Sequence, residues 1–176
     1  GRVAVVTGAS SGLGAQLAGA LGRAGARLVL AARRVSKLEE LVKALAEEGV
    51  EAIAVSVDVA VESEVDALVA ATLERYGRVD ILVNNAGITE VVPFAEHSLE
   101  SFDRICDVNL RGVFLCAQRF GRVMLEAGSG AIINISSILG LVGSGQVSQA
   151  AYAASKGAVV NLTRELGAEW ARKGVR

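Results

Sequence analysis

Cysteine and histidine are scarce in this sequence, which has two cysteines and one histidine among 176 residues. Cys106 and Cys116 lie ten positions apart in a stretch that predicts one helix, a spacing that separates them by about 15 Å along the helix axis. A disulfide needs Cα atoms within about 7 Å of each other, so we expect two free thiols that serve as small core or interface residues. The single His97 leaves no cluster of metal ligands. This scarcity excludes a disulfide-stabilised scaffold and predicts no metal site.

The sequence also lacks an excess of charge of either sign. Lys and Arg number 18 against 19 Asp and Glu, so there is no basic surface of the kind that binds nucleic acid or anionic membranes. The apolar runs are short and are broken by Gly, Arg or Asp, and they match neither a secretory signal nor a membrane-spanning segment. We therefore predict a soluble, cytoplasmic protein with no nucleic-acid or membrane partner.

Proline is nearly absent, with one residue, and no proline-rich linker or internal repeat divides the chain. With 52% hydrophobic residues, a chain of this length buries one core. Residues 1–176 are therefore predicted to form a single domain.

Short apolar runs alternate along the chain with longer amphipathic segments. Continuous apolar runs of this kind are typical of a parallel sheet covered on both faces, and their alternation with helices predicts right-handed crossovers. The predicted fold class is therefore α/β, a doubly wound parallel sheet of the Rossmann type. Strands are predicted at Val3–Thr7, Arg27–Ala31, Ala52–Val57, Ile81–Val83 and Ala131–Ser136, and helices around 13–24, 36–48, 61–76, 99–127 and 152–173.

Local signals support these divisions. Ser36 and Glu39 have the spacing of a capping box at the start of the second helix, and Gly49 and Gly174 stand where a left-handed residue ends a helix. In sheets of this type, ligands bind beyond the carboxyl ends of the strands. Each candidate functional residue of this sequence falls at one of those ends or just after it.

A glycine-rich turn follows the first strand and runs directly into a helix. Gly8 permits the tight turn, while Gly12 and Gly14 let backbone amides approach a pyrophosphate and pack on the strand. The interval between the glycines is wider than in the usual fingerprint, and its two serines offer hydroxyls to phosphate oxygens. The alternative is a glycine-rich turn that binds no ligand. The residues predicted to bind the pyrophosphate are Gly8, Ser10, Ser11, Gly12, Leu13 and Gly14.

Two arginines stand where an acidic residue would bind the adenosine ribose of NAD. Arg33 and Arg34 follow the second strand and precede a helix, and cations at the positive end of a helix are unfavourable unless an anion lies there. A ribose 2′-phosphate is such an anion, so the pair predicts NADP in preference to NAD. The alternative is that the arginines are merely solvated.

The segment from Tyr152 to Lys156 combines a phenol and an ammonium four positions apart in a predicted helix. Such positions share one face, so the cation can lie beside the phenol ring and favour its ionised form. Ser137 ends the preceding apolar run. Taken alone, the Tyr and Lys could be an ordinary pair on a helix surface; together with the other motifs they suggest an acid–base centre.

As a set, these motifs resemble the short-chain dehydrogenase/reductase family, and in particular its NADP-preferring members. The resemblance spans the whole chain and depends on the order of the motifs. They are TGASSGLG at 7–14, Asp58-Val59, Asn84-Asn85-Ala86-Gly87, Asn109, Ser137 and YAASK at 152–156.

The resemblance implies a catalytic set of four residues. Tyr152 would be the general acid in ketone reduction and the general base in alcohol oxidation, and Ser137 would hydrogen-bond the substrate oxygen. Lys156 would bind the nicotinamide ribose and favour the Tyr152 phenolate, and Asn109 would hold a water that relays protons through Lys156. Both Tyr152 and Lys156 would thus also contact the cofactor.

The same resemblance places further residues around the cofactor. Asp58 would contact the adenine, although an Asp there could equally cap the next helix. Asn84 suggests a turn-stabilising residue instead. The additional cofactor-binding residues implied are Asp58 and Val59 at the adenine, and Asn85, Ala86 and Gly87 along the ribose and ring.

The resemblance also implies a small carbonyl or alcohol substrate and a homodimer or homotetramer formed through the helices at 99–127 and 152–173. The loop 138–151 would form one wall of the substrate pocket. We expect the chain to be part of a longer protein, truncated at both ends, without the C-terminal strands and the substrate lid, so that the fifth strand becomes an edge. Two other functions stay open: a non-catalytic dinucleotide-binding or scaffold protein, and a sugar epimerase or dehydratase.

Overall fold

A computed structural model describes the whole chain from Gly1 to Arg176. Five parallel strands form one sheet in the order β3-β2-β1-β4-β5. Because the chain winds outward from β1 in both directions, the predicted doubly wound α/β fold is confirmed, and β1 and β4 flank the switch point. The strands are β1 (Val3–Thr7), β2 (Arg27–Ala32), β3 (Ala52–Ser56), β4 (Ile81–Asn84) and β5 (Ala131–Asn134).

Six α-helices connect and cover the strands. The helix expected at 99–127 is interrupted by one π-helical segment, Asp107–Arg111. Short 3-10 turns occur at Phe94–Glu96, Ile138–Gly140 and Ala171–Lys173. The helices are α1 (Gly12–Arg23), α2 (Val35–Glu47), α3 (Glu62–Tyr76), α4 (Leu99–Cys106), α5 (Gly112–Glu126) and α6 (Ala150–Trp170).

The core consists of two apolar layers, one on each face of the sheet. Alternate residues of β1 enter opposite layers, because side chains of a strand point to opposite faces. Val3 and Val5 pack in the layer that contains Phe120, while Ala4 and Val6 pack in the other. All five residues of β1 are buried, which is why this strand is apolar on both faces.

The helix-end predictions had mixed outcomes. Gly49 and Gly174 adopt left-handed backbone angles, with φ of 78° and 84°, as predicted. The capping box was wrong: α2 begins at Val35 with Arg34 as its N-cap, and no side chain caps it. The Leu38 N–H already donates to the Arg34 carbonyl, so Ser36 lies inside the first turn and is not the N-cap.

The edge strand β5 is only partly covered, as expected. Ile133 is 46% exposed, while Gly130 forms a parallel bridge with Val175 and the Ile132 N–H donates to the Arg176 carbonyl at 2.8 Å. Both cysteines are free, and Cys116 is buried. No helix is both long enough and apolar enough to cross a bilayer.

Candidate active site

The turn between β1 and α1 is shaped by its glycines. Gly8 and Gly12 have positive φ of 65° and 56°, which other residues adopt only with strain. A Cβ at Gly14 would lie 2.5 Å from Asn85 Nδ2 and would also collide with the Gly8 carbonyl. The glycines therefore let the helix start, the turn and the loop after β4 pack against each other, leaving the amino end of α1 open to an anion.

A cavity of about 430 Å³ lies at the carboxyl ends of β1, β2 and β4. Its volume is within the range of small-molecule sites. Gly12, Leu13 and Gly14 do not line it, nor do Tyr152 and Lys156. The structure brings together these predicted cofactor residues: Gly8, Ser10, Ser11, Arg33, Arg34, Asp58, Val59, Asn85, Ala86 and Gly87; the remaining lining residues are Ala32, Val57, Ile88 and Val108.

The two arginines are held in different ways at the rim of this cavity. Arg34 Nη2 donates to Ser10 Oγ at 3.0 Å and to Ser11 Oγ at 2.7 Å. Arg33 Nη1 lies 3.7 Å from Asp58 Oδ2, and its side chain is 68% exposed. Arg34 is therefore not merely solvated, since it joins the serines of the glycine-rich turn and places a positive charge beside them.

Asp58 forms a turn and does not cap the next helix. Its Oδ1 accepts a hydrogen bond from the Ala60 N–H at 3.0 Å, and its own N–H donates to the Glu64 carboxylate at 2.7 Å. Helix α3 has Val61 as its N-cap, without a side-chain bond. Of the two alternatives left by the sequence, helix capping was wrong, and Asp58 lies in the cavity wall.

Tyr152 and Lys156 share one face of α6, as their spacing predicted. Lys156 Nζ lies 5.7 Å from the centroid of the Tyr152 ring and donates to the Ile135 carbonyl at 2.7 Å. The lysine is 3% exposed, and this burial lowers its pKa from the ordinary value, because desolvation disfavours the charged form. A Cβ at Gly87 would lie 3.5 Å from Nζ, so the ammonium lies close to the cavity wall at Gly87.

Ser137 belongs to a segment that packs directly on α6. Its Oγ accepts from the Leu139 N–H at 3.2 Å at the start of a 3-10 turn. The preceding Ser136 Oγ donates to the Lys156 carbonyl at 2.9 Å, and a Cβ at Gly140 would lie 2.8 Å from that carbonyl oxygen. The end of β5 and the first turns of the Tyr152 helix are therefore in contact.

Asn109 lies in the π-helical segment and is fully buried. Its Oδ1 accepts from the Ile88 N–H at 2.8 Å, and its Nδ2 donates to the Ile88 carbonyl at 2.9 Å and to Ser155 Oγ at 3.1 Å. One side chain thus joins the loop after β4 to α6. Such π-helical interruptions are frequent at functional sites.

Comparison with known proteins identifies the relationship. The family model for short chain dehydrogenases matches residues 2–176. The chain belongs to the short-chain dehydrogenase/reductase family.

Its relatives span different substrates. A 3-oxoacyl-[acyl-carrier-protein] reductase from Synechocystis is 41% identical over 175 residues, which cover 99% of this chain and 70% of the relative. A short-chain dehydrogenase/reductase from Mycobacterium marinum has a TM-score of 0.97 at 36% identity, covering 100% of this chain and 70% of that one. A gluconate 5-dehydrogenase from Burkholderia cenocepacia, solved with NADP and tartrate, has a TM-score of 0.94 at 39% identity, covering 100% of this chain and 68% of that one.

Sequence reasoning missed a polar clasp inside this short-chain dehydrogenase/reductase. Thr7 Oγ1 accepts from the N–H groups of Asn85 and Ala86 at 3.0 and 3.1 Å and donates to the Val83 carbonyl at 3.3 Å. In return, Asn85 Nδ2 donates to the carbonyls of Thr7 and Gly8 at 3.0 and 3.3 Å. The sequence did contain one signal of this contact, because Thr7 is a hydroxyl residue at the end of the otherwise apolar strand β1.

The prediction for Asn84 was wrong. It is the last residue of β4, is 2% exposed, and donates from Nδ2 to Asn134 Oδ1 on β5 at 2.9 Å. Asn84 and Asn134 are partners in the parallel register, and Asn134 Nδ2 in turn donates to Thr163 Oγ1 on α6 at 2.9 Å. Asn84 therefore joins the ends of two strands and does not stabilise a turn.

In this short-chain dehydrogenase/reductase, the Lys156 ammonium lies beside the Tyr152 ring and near Gly87 in the wall of the cavity. The relatives are oxidoreductases, which supports hydride transfer with a nicotinamide dinucleotide. In such reactions the cofactor carries the hydride, and a protein supplies binding, orientation and proton transfer.

Proposed function

We propose that this protein is an NADP-dependent oxidoreductase that interconverts a small carbonyl compound and its alcohol. The observation that carries the proposal is the buried Lys156 ammonium, 5.7 Å from the Tyr152 ring and in contact range of Gly87 at the nucleotide cavity. A phenol with a cation beside it can release and regain a proton. Few purely structural roles require a buried lysine at this place.

Each residue of the proposed catalytic set has a defined task. In reduction, the Tyr152 hydroxyl donates its proton to the carbonyl oxygen, Ser137 hydrogen-bonds the same oxygen, and the Lys156 ammonium stabilises the phenolate that is left. NADPH held in the cavity would supply the hydride for the carbonyl carbon. Asn109 holds Ile88 and Ser155, and thereby positions the cavity wall against α6.

The test of the catalytic role is Tyr152→Phe. We expect turnover to fall by at least about 100-fold, since general acid–base catalysis contributes this much or more, while NADPH affinity changes little. Tyr76→Phe is the matched control, because Tyr76 is the other of two tyrosines and is buried far from the cavity, with its hydroxyl on the Leu28 carbonyl. Unchanged turnover in Tyr152→Phe would refute the role.

Hydride transfer is tested separately from the acid. Labelled NADPH should transfer its label into at least one ketone of a chemically varied panel. Absence of transfer to every ketone, with NADPH binding intact, would favour the non-catalytic dinucleotide-binding alternative. Conversion without net oxidation of NADPH would favour an epimerase.

The preference for NADP rests on the rim arginines. Arg34 already lies on Ser10 and Ser11, where a ribose 2′-phosphate beside the turn would find a charge-assisted donor. Loss of one such bond costs about 1.5–3 kcal/mol, so Arg34→Ala should reduce the NADPH over NADH preference by about 10-fold or more. Arg33→Ala should also reduce the preference for NADPH over NADH. Arg23→Ala, which removes an exposed arginine paired with Glu48, is the control, and an unaltered ratio in both rim variants would exclude the phosphate role.

Assembly as a homodimer or homotetramer is also proposed. The helices implied in assembly carry both buried and exposed apolar residues: Val113 and Val159 are buried in the core, whereas Phe114 is 48% exposed on α5. Light scattering after size exclusion would measure the mass of the assembly, and a monomer at micromolar concentration would count against the proposal. That residues 1–176 form one domain and that the protein is cytoplasmic stay predictions from the sequence.

A further inference from the structure

A second cavity of about 250 Å³ lies between two loops and the start of α6. The loop after β4 contributes Val92 and Phe94, and the loop after Ser137 contributes most of the rest. The two loops are joined by a main-chain bond from the Val92 N–H to the Ser148 carbonyl at 3.0 Å. The cavity therefore has two walls that are connected to each other.

This cavity adjoins the proposed catalytic hydroxyls. Leu139 lines it, and its N–H donates to Ser137 Oγ. Ala153 lines it as well and follows Tyr152 directly in α6. Through Leu139 and Ala153, the cavity therefore adjoins the two residues that are proposed to hold the substrate oxygen, Ser137 and Tyr152.

The lining of this cavity is uncharged. None of its 12 residues is Asp, Glu, Lys, Arg or His, and seven are apolar. An ionised group entering it would lose hydration without gaining a counter-ion. Lys156, the charged member of the proposed catalytic set, does not line this cavity. Arg33, Asp58 and Asp103 lie in a separate groove.

We propose that the cavity receives the apolar, uncharged substituent of the substrate, so that neutral aliphatic or alicyclic ketones and their alcohols are the substrate class. The inference rests on the proposed function, because it takes Ser137 and Tyr152 as the groups that hold the carbonyl. The cavity is smaller than most sites for a whole drug-sized ligand, which begin at about 300 Å³. Neither Ser137 nor Tyr152 lines the cavity, so one substituent enters it while the carbonyl stays outside, at the two hydroxyls.

The test compares two ketones of the same ring size that differ in charge. With NADPH in excess and at pH 7.5, 4-methylcyclohexanone should have a kcat/KM at least about 10-fold higher than that of 4-oxocyclohexanecarboxylate, because burial of an unpaired carboxylate is costly. Equal or better use of the carboxylate would overturn the inference.

A variant locates the effect in the cavity. Val147 lines it and is 47% exposed, so Val147→Lys should fold and bring a cation to its rim. This variant should reduce the preference for the neutral ketone by about fivefold or more. Val61→Lys is the matched control, since Val61 is 40% exposed and precedes α3 away from the cavity. The same preference in Val147→Lys and wild type would contradict the assignment.

Binding provides a readout that is independent of turnover. In the presence of NADP⁺, ligand-observed NMR should detect saturable binding of cyclohexanol, weaker in Val147→Lys, and little binding of cyclohexanecarboxylate. This pattern without reduction of either ketone would count against the proposed function while supporting the substrate class. Stronger binding of the carboxylate would overturn the substrate class whether or not turnover occurs.

Discussion

Replacing Asn109 by alanine removes three hydrogen bonds from a fully buried position in the π-helical segment. Two of them hold the N–H and the carbonyl of Ile88, and the third reaches Ser155 Oγ. A net contribution of about 1 kcal/mol per bond gives a loss of about 3 kcal/mol in the free energy of unfolding. The loss becomes larger if the freed Ile88 groups find no water.

Urea unfolding followed by circular dichroism measures this loss directly. For a chain of this size, each kcal/mol corresponds to about 2–4 °C in Tm, so Asn109→Ala should also melt about 6–12 °C earlier. Asn84→Ala is the matched comparison, because Asn84 is equally buried at 2% exposure but its side chain makes one hydrogen bond, to Asn134. Its expected loss is about 1 kcal/mol.

The comparison separates two roles of Asn109. If it joins the cavity wall to α6, its variant must be clearly less stable than the Asn84 variant and must bind NADPH more weakly, since Ile88 lines the cavity. Equal stability of the two variants would refute this reasoning. Loss of turnover at unchanged stability would instead support the water-holding role implied by the family resemblance.

Three further predictions concern glycine, cysteine and lysine. Gly14→Ala should lower both Tm and NADPH affinity, because its methyl would collide with the turn, whereas Gly167→Ala, in open space on α6, should stabilise by about 0.5–1 kcal/mol. Burial raises the pKa of Cys116 to about 12, so a thiol reagent at pH 8 should leave it unlabelled in the folded protein and label it after denaturation. Burial lowers the pKa of Lys156, so between that pKa and 10.5 this residue binds more protons in the unfolded chain and its contribution to stability rises with pH. The free energy of unfolding of wild type minus that of Lys156→Met should therefore increase with pH in this window, and a constant difference would contradict the burial of the ammonium.

The strands and their alternation with helices were predictable because each depends on a local signal. An apolar run such as that of β1 is buried on both faces, and the four-residue spacing of Tyr152 and Lys156 sets their common face on any helix. The glycine-rich turn was equally readable, since the backbone angles of Gly8 and Gly12 follow from local geometry.

The contacts that join distant segments could not be predicted in the same way. The clasp of Thr7 with Asn85 and the pair of Asn84 with Asn134 require that β1, β4 and β5 be neighbours, an order that no single segment contains. The π-helical segment has a similar origin. It brings Asn109 within hydrogen-bonding distance of Ile88. Ile88 belongs to a different segment, so the helical pattern around Asn109 does not predict this bond.

The clasp between Thr7 and Asn85 has a consequence for altering cofactor choice. The Thr7 hydroxyl and the Asn85 amide bond to the protein backbone, and of the two only Asn85 lines the cavity. They form an inner wall that is held in place by the fold. The rim arginines are less tightly built into the fold, because Arg33 and Arg34 contact only exposed or partly exposed side chains. Substitutions of the rim arginines should therefore change the preference between NADP and NAD without unfolding the protein. Substitutions of Thr7 or Asn85 should instead lower the stability of the fold.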